Sequence, residues 1–328
     1  MKDLTILIQG PFFRYKNFNS NKNIKILRSV FKGAKILIST WKGENQFKIN
    51  KRNIIFNKDP GFVKDNHIGS STPGSNINRQ IVSVKKALSK INTKYTLKIR
   101  ADCFFKKNTI IKINKDNFFR DNKYKFFKER IITSSVGTLH QSVTSILYNY
   151  SDWYNFGLTK DLKKLWSVPI VKKDQVNFFS KYPNKKDNIL GRNWDLKYTA
   201  EQNIYFKSIK NKIKYKINHA HDFDKRKLLE ANKFLVNNFY LSDLDSVGFI
   251  MPKYDPRINL ELPINSTNIR SKELMFLSYS NLEWLNLYFK VNLNKNIKSN
   301  FNFKKNYFRF KFIIKKKIFK LKNNIFNQ

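Results

Sequence analysis

The sequence has 328 residues, and 65 Lys and Arg residues against 23 Asp and Glu residues give it a formal net charge of +42. Hydrophobic residues make up 41% of the chain and aromatic residues 15%, a composition too apolar for a disordered basic tail. The single cysteine, Cys103, excludes an intramolecular disulfide and a thiolate zinc cluster. We therefore expect a folded protein of one large domain or two modest ones.

The positive charge has two explanations that the composition leaves open. Lys, Asn, Ile and Phe are all frequent, a joint bias that an AT-rich genome produces and that would account for part of the lysine excess. A charge of this size also attracts polyanions, namely nucleic acid, anionic lipid or phosphorylated small molecules.

The amino-terminal segment predicts a cytoplasmic protein. The apolar run Leu4 to Ile8 is too short for a signal-peptide core, and no small-residue cleavage site follows it. Lys or Asn interrupts every Ile- and Phe-rich segment, so no stretch reaches the roughly 18 to 20 apolar residues of a membrane-spanning helix.

The first predicted elements form a strand, helix, strand unit. A strand at Leu4 to Gln9 precedes a helix from Asn19 or Ser20 to Gly33, and strands follow at Ala34 to Ser39 and Asn53 to Phe56. This order indicates a parallel sheet.

The later elements continue the alternation, and Gly69 to Ser75 between them has the composition of a flexible loop. The predicted helices begin at Asn76 or its neighbour, Lys160, Ala200 and Lys225, and the predicted strands are Tyr95 to Ile99, Arg130 to Val136, Ser142 to Leu147 and Ile213 to Ile217. We therefore predict an α/β fold with a mostly parallel central sheet over residues 1–290, in halves of about 1–105 and 106–290. Residues 291–328 contain no Asp or Glu and predict a basic amphipathic tail that is helical.

Ligands of open α/β sheets bind beyond the carboxyl ends of the strands. The polar groups there are Gln9 to Pro11, Ser39 to Trp41, Asn57 to Gly61 and Arg100 to Asp102. Neither a dinucleotide G-x-G-x-x-G motif nor a P-loop is present, which excludes dehydrogenases and P-loop kinases.

A nucleotide-sugar site suits these residues best. Asp102 can hold a ribose or a divalent cation, while Arg100 and Arg79 neutralise charge on a diphosphate leaving group. The alternatives are a capping or surface role for Asp102 and a helix-capping role for Asn76 and Asn78.

Several segments in this order resemble the WavE lipopolysaccharide synthesis family, bacterial glycosyltransferases of the nucleotide-diphosphosugar (A-type) fold. They are IQGP (Ile8 to Pro11), STW (Ser39 to Trp41), NKDPG (Asn57 to Gly61), NINRQIVS (Asn76 to Ser83), KYTLKIRAD (Lys94 to Asp102), SDWYNFG (Ser151 to Gly157) and AEQ (Ala200 to Gln202). The motifs run from about residue 4 to about residue 250, and the segment beyond about Lys290 takes no part.

The resemblance implies a Rossmann-like A-type glycosyltransferase fold and a hexosyltransferase-like enzyme that uses a nucleotide-diphosphate sugar donor. Asp102 would be the counterpart of the D-x-D carboxylate of this fold, and Asp59 would approach the base or ribose. The residues that we expect at the donor are Gln9, Gly10, Pro11, Thr40, Asp59, Asn78, Arg79, Arg100 and Asp102. Because Arg100 stands where D-x-D has its first carboxylate, dependence on Mn²⁺ or Mg²⁺ stays open, and Arg100 is a candidate partial substitute for the cation.

The candidates for the general base are Glu201, near the start of a predicted helix, and Asp152, which we expect to follow a strand. Each also has a structural explanation, as a helix-terminal carboxylate and as a turn residue. His221 is a candidate metal ligand beside Asp102, and a structural histidine is the alternative.

Three functions remain after the sequence analysis. The first is a glycosyltransferase acting on a lipopolysaccharide, O-antigen or capsule glycan; the others are a non-catalytic member of the same fold and a basic nucleic-acid-binding protein. The tail carries Phe308, Phe310, Phe312, Ile313 and Ile314 among lysines, which predicts a peripheral protein on the anionic inner face of the inner membrane.

Overall fold

The computed structural model describes residues 1–64, 75–185, 195–252, 274–295 and 303–325. The strands are β1 (Leu4–Gln9), β2 (Arg14–Tyr15), β3 (Phe18–Asn19), β4 (Lys35–Trp41), β5 (Ile54–Asn57), β6 (Tyr95–Arg100), β7 (Phe104–Phe105), β8 (Ile131–Ser134), β9 (Tyr154–Leu158), β10 (Phe239–Ser242) and β11 (Phe249–Ile250). The helices are α1 (Ser20–Val30), α2 (Ile77–Ser89), α3 (Gln141–Thr144), α4 (Thr159–Trp166), α5 (Phe178–Lys181), α6 (Ala200–Ile209), α7 (Lys225–Asn238), α8 (Leu244–Val247), α9 (274–277), α10 (Asn281–Leu293) and α11 (Phe303–Ile325).

Seven strands form the central sheet in the order β10-β8-β9-β6-β1-β4-β5. Strands β5, β4, β1 and β6 pair in parallel, as do β8 and β10, whereas β9 runs antiparallel to β6 and β8. The predicted α/β fold with a mostly parallel, Rossmann-like sheet and a C-terminal helix is therefore confirmed.

The chain reverses its direction across the sheet at β1. It passes from β1 to β4 and β5 on one side and then returns to place β6 on the other side of β1. Gln9 pairs in register with Ser39 of β4 and with Arg100 of β6. Open α/β sheets bind ligands at such a switch point, beyond the carboxyl ends of the strands.

Both faces of the sheet are covered, which explains why every residue of β1 is buried and most are apolar. Leu7 faces a core cluster that contains Ile81 of α2, while Ile6 and Ile8 face a second cluster that contains Leu27 of α1. Successive strand residues point to opposite faces, so burial on both sides favours a nearly continuous apolar run.

Two predicted strands are wrong. The region predicted as the strand Ser142 to Leu147 contains α3, where the carbonyl of His140 accepts from the N–H of Thr144 and Ser145 adopts a left-handed φ of 57°. Ile213 to Ile217 contains no strand, because Glu230 of α7 accepts the backbone N–H groups of Lys214 and Tyr215 that a neighbouring strand would otherwise satisfy. β-branched residues favour strands only where a partner strand is available.

The sequence analysis missed β9 and β10. β9 contains Asn155 and Gly157, which are uncommon in strands, and β10 follows α7 directly without a breaking residue. The predicted loop Gly69 to Ser75 lies, apart from Ser75, outside the described residues. In the described ranges, no helix combines the length and the apolar composition that a membrane crossing requires.

Candidate active site

A cleft of about 310 Å³ lies at the switch point between β1 and β6. Six of its lining residues are predicted donor residues, namely Gln9, Gly10, Pro11, Arg79, Arg100 and Asp102, and the others are Phe12, Phe13, Trp41, Asn76, Gln80 and Ala101. The carboxyl ends of parallel strands and the beginning of α2 therefore meet as expected.

Gly10 forms the floor of this cleft between two strand ends. Its N–H donates to the carbonyl of Ser39 at 3.0 Å, and the N–H of Ala101 donates to the carbonyl of Gln9 at 2.9 Å. The φ of Gly10 is +126°, a conformation that glycine adopts readily and other residues rarely do. The turn consequently leaves the backbone open to close approach by a ligand.

Two glutamine side chains of the cleft have unsatisfied oxygens. The Oε1 atoms of Gln9 and Gln80 are buried and have no hydrogen-bond partner among the described residues. A buried acceptor without a partner costs free energy that a ligand N–H or O–H would recover. Gln80 was not singled out from the sequence, although it belongs to the NINRQ motif.

Arg100 and Asp102 form a bidentate pair at the end of β6. Nε of Arg100 donates to Oδ1 of Asp102 at 3.0 Å and Nη2 donates to Oδ2 at 2.7 Å. Burial opposes the charge of Asp102, but the Arg100 guanidinium outweighs this effect and lowers the pKa of Asp102. Asp102 is therefore ionised and already neutralised by a protein cation.

A second bidentate pair joins Arg79 of α2 to Asp59. Nε of Arg79 donates to Oδ1 of Asp59 at 2.7 Å, Nη2 donates to Oδ2, and Nη1 donates to Oδ1 of Asn76 at 3.2 Å. The hydrogen bond from Arg79 lowers the pKa of Asp59. Asp59 thus stands beside the cleft, and Arg79 reaches the cleft from this anchored position.

The pairs Arg100–Asp102 and Arg79–Asp59 each have a net charge of zero, so neither pair presents a full positive charge to a diphosphate. Among the described residues, Nη1 of Arg100 has no hydrogen-bond partner and remains available as a donor. A single carboxylate such as Asp102 holds a divalent cation well only together with substrate phosphates. No group of three or more His, Cys, Asp or Glu side chains in the described ranges could hold a metal ion by itself.

Asp152 and Lys98 form a buried polar group at the same edge. Because β9 is antiparallel to β6, with Tyr154 opposite Ile99, the beginning of β9 meets the end of β6. Asp152 precedes β9 and does not follow a strand, which corrects the prediction. The Oδ2 atom of Asp152 is buried without a partner among the described residues. Nζ of Lys98 donates to the backbone carbonyl oxygen of Asp152 at 2.5 Å.

Lys98, which the sequence analysis did not single out, is fully buried in β6. Burial lowers the pKa of its ammonium group to about 8, although the negative charge of Asp152 opposes this shift. Within the KYTLKIRAD segment, a lysine in the middle of an apolar strand is the signal that could have identified it.

Glu201 lies in the first turn of α6, which a capping box of Thr199 and Gln202 begins. Burial, followed by the negative charge of Asp152, raises the pKa of Glu201 to about 7, and Arg100 acts in the opposite direction. Both carboxylates predicted as catalytic therefore share one electrostatic environment with Arg100.

Similarity to a known protein family covers nearly the whole chain. A family model described as WavE lipopolysaccharide synthesis matches residues 4–321. The chain belongs to the WavE family. The resemblance deduced from the sequence is therefore confirmed, but its predicted limit near residue 250 is wrong, because the match continues through most of α11. No individual curated protein matches the chain.

Membership of the WavE family implies a part in lipopolysaccharide synthesis. In addition to Asp59, Asp152 and Glu201, three further predicted site residues of this WavE protein lie outside the lining of the cleft. Thr40 is buried in β4. Asn78 accepts from the N–H of Val171 at 2.7 Å and donates to its carbonyl at 3.3 Å. The ring of His221 packs 4.8 Å from that of Phe179, and its role as a metal ligand stays a prediction.

Proposed function

We propose that this chain is a glycosyltransferase of the A-type fold that transfers a sugar from a nucleotide-diphosphate donor to a lipopolysaccharide, O-antigen or capsule glycan. One observation carries the proposal: a cleft at the switch point of the sheet contains unsatisfied Gln9 beside the Arg100 and Asp102 pair. Family membership favours sugar chemistry over the nucleic-acid-binding alternative.

The donor would lie across the carboxyl ends of β1 and β6. The Oε1 atoms of Gln9 and Gln80 would accept hydrogen bonds from the base or ribose. Nη1 of Arg100 would donate to the diphosphate, since Nε and Nη2 already donate to Asp102. A divalent cation bound by Asp102 and the diphosphate would supply the positive charge that the neutral side-chain pairs lack.

Glu201 is the proposed general base, because a pKa of about 7 leaves a large ionised fraction at neutral pH. It would take the proton of the acceptor hydroxyl as that oxygen bonds to the anomeric carbon of the donor sugar. The bond between that carbon and the diphosphate oxygen breaks, and the nucleoside diphosphate leaves with the electron pair. Asp152 raises the pKa of Glu201 and is the alternative base.

A second candidate function is a non-catalytic member of the same fold. The observation that favours it is that both carboxylate oxygens of Asp102 accept hydrogen bonds from Arg100. Such a protein would bind a nucleotide sugar without turning it over.

A thermal-shift screen of nucleotide sugars, with and without Mn²⁺ or Mg²⁺, tests the proposal. A donor at about 100 times its Kd should stabilise the native state by about 2.7 kcal/mol. The stabilising donor is then assayed for release of nucleoside diphosphate. Binding with release supports the transferase, binding without release for every glycan acceptor supports the non-catalytic alternative, and no stabilisation by any nucleotide sugar would contradict both.

A further inference from the structure

The basic C-terminal helix α11 is docked on the body of the protein through one face. Phe312 and Phe308 pack with Leu139 and Ile146 in a small apolar cluster. Arg309 donates to the carboxylate of Glu283 in α10. It also donates to the backbone carbonyls of Phe276 and Ser278, which precede α10. The docked face is therefore partly apolar and partly an ion pair.

The opposite face of α11 exposes a row of apolar side chains. Phe310, Ile314, Ile318 and Leu321 are 61%, 40%, 48% and 61% exposed and are spaced four, four and three residues apart. At about 100° per residue this spacing keeps them on one side, and Phe310 and Ile314, each two residues from Phe312, point away from the docked face. We name these four residues the α11 stripe.

Lysines border the α11 stripe. Lys304, Lys311 and Lys315 are exposed along one border and Lys317 along the other. Residues 291–328 contain no Asp or Glu, so no acidic side chain in the helix balances these lysines. An apolar row between lysines is the pattern of a helix that lies in the interface of an anionic bilayer.

We propose that the α11 stripe binds the surface of an anionic lipid bilayer. A second copy of the chain is a poorer occupant, since each copy carries a formal charge of +42. Nucleic acid would match the lysines but leave the apolar row exposed to water. The sequence placed Phe308 and Phe312 in the membrane-binding set, and the structure assigns them to the docked face instead.

The segment on which α11 docks follows β8 in the chain. α11 packs on Leu139 and Ile146, which follow the carboxyl end of β8, and β8 runs in the same direction as β6 because both are antiparallel to β9. The membrane proposal does not depend on the proposed reaction.

Vesicle cosedimentation of the full-length protein tests the proposal. Vesicles of phosphatidylcholine with phosphatidylglycerol are compared with vesicles of phosphatidylcholine alone. The triple variant Phe310→Gln, Ile314→Gln, Leu321→Gln keeps the net charge and uses a good helix former. Its matched control is Phe119→Gln, Ile170→Gln, Leu229→Gln, at three exposed apolar residues outside α11. Thermal unfolding verifies that both variants are folded.

We expect the wild type and the control to bind the anionic vesicles within about twofold of each other, and the α11 variant to bind at least about tenfold more weakly. Lys311→Glu with Lys315→Glu should also lose at least about tenfold, and more than the charge-matched Lys25→Glu with Lys32→Glu.

Equal binding by the wild type and the α11 variant, or equal losses in both triple variants, would overturn the proposal. So would a wild-type dimer in sedimentation velocity that the α11 variant converts to monomer, because the stripe would then belong to a protein interface. Donor binding, measured without lipid, is independent of each of these outcomes.

Discussion

Arg100 donates hydrogen bonds to both carboxylate oxygens of Asp102, at 3.0 and 2.7 Å. The two residues are separated by one position at the end of β6, where the strand reaches the cleft. A D-x-D motif would place a second carboxylate at position 100, and this chain places a cation there. The charge and the orientation of Asp102 consequently depend on Arg100.

Asp102→Asn is expected to reduce sugar transfer by roughly 100-fold, because the substitution removes the negative charge that would hold a cation and orient Arg100. The same change should cost about 1–3 kcal/mol of stability, since Arg100 loses one of two charge-assisted hydrogen bonds in a largely buried pair. Nucleoside diphosphate release and denaturant unfolding measure the two effects. The more exposed pair offers a matched control: Asp59→Asn should cost less than about 1 kcal/mol. If Asp102→Asn transferred sugar at the wild-type rate, Asp102 would have no role in the reaction.

Glu201 predicts the pH dependence of transfer. The pKa of about 7 means that activity should fall about tenfold per pH unit below that value, as the base becomes protonated. Asp152→Asn removes a charge that raises this pKa, so the acidic limb should move to lower pH, and Glu201→Gln should abolish transfer. A pH–rate profile for each variant measures these shifts. If the acidic limb of Asp152→Asn were unchanged, Asp152 would have no effect on the pKa of the catalytic base.

The same raised pKa predicts a stability effect of Glu201 with a defined sign. The folded protein holds the Glu201 proton more tightly than the unfolded chain does, so this contribution is present below the ordinary value of 4.5 and is lost as pH rises through about 7. Relative to the wild type, Glu201→Gln should gain stability as pH rises through this window. Urea unfolding of both proteins across the window checks the sign, and parallel curves would contradict it.

Gln9 and Asn78 should respond differently to substitution. Gln9→Met keeps the side-chain length and removes an unsatisfied oxygen, so it should weaken donor binding by about tenfold with little loss of stability. Asn78→Ala breaks the two hydrogen bonds to Val171 and should cost about 1–3 kcal/mol while donor affinity is retained. Calorimetric titration and thermal unfolding separate the effects. If Asn78→Ala instead weakened donor binding without loss of stability, Asn78 would belong to the donor site.

Glu283 should control the docking of α11. Burial opposes its charge, but Arg309 and Lys305 outweigh this effect and lower the pKa of Glu283 to about 2. The stabilising contribution is therefore present above the ordinary value of 4.5 and is lost as pH falls towards about 2. Glu283→Gln retains a residue that can complete the capping box with Ser280, and it removes only the ion pairs.

We expect Glu283→Gln to increase proteolytic cleavage within α11 by about tenfold. Ser280→Ala removes the cap of α10 and leaves the ion pairs to α11 in place, which makes it the matched control. Mass spectrometry of the fragments locates the cleavage. Equal protection of α11 in Glu283→Gln and wild type would show that apolar packing around Phe312 suffices.

Local patterns predicted much of the sheet. β1, β4 and β6 are largely apolar segments, and α6 and α7 begin where the pattern indicated. The pattern failed for Ile213 to Ile217, where a side chain from α7 satisfies the backbone, and for β9, whose Asn155 is stabilised by Trp166 and Tyr205. Both cases depend on contacts between residues that belong to different elements of the chain.

The site divides in the same way. The sequence by itself determined that Gln9, Gly10, Arg100 and Asp102 come together, because parallel strands end at one edge and the chain turns there. The sequence also determined the formal net charge of +42, because that charge follows from the residue counts alone. Only the tertiary structure decided that Arg100 is bound to Asp102, that Asp152 raises the pKa of Glu201, and which face of α11 is exposed. These facts depend on distance and burial between segments, and spacing along one chain does not specify either.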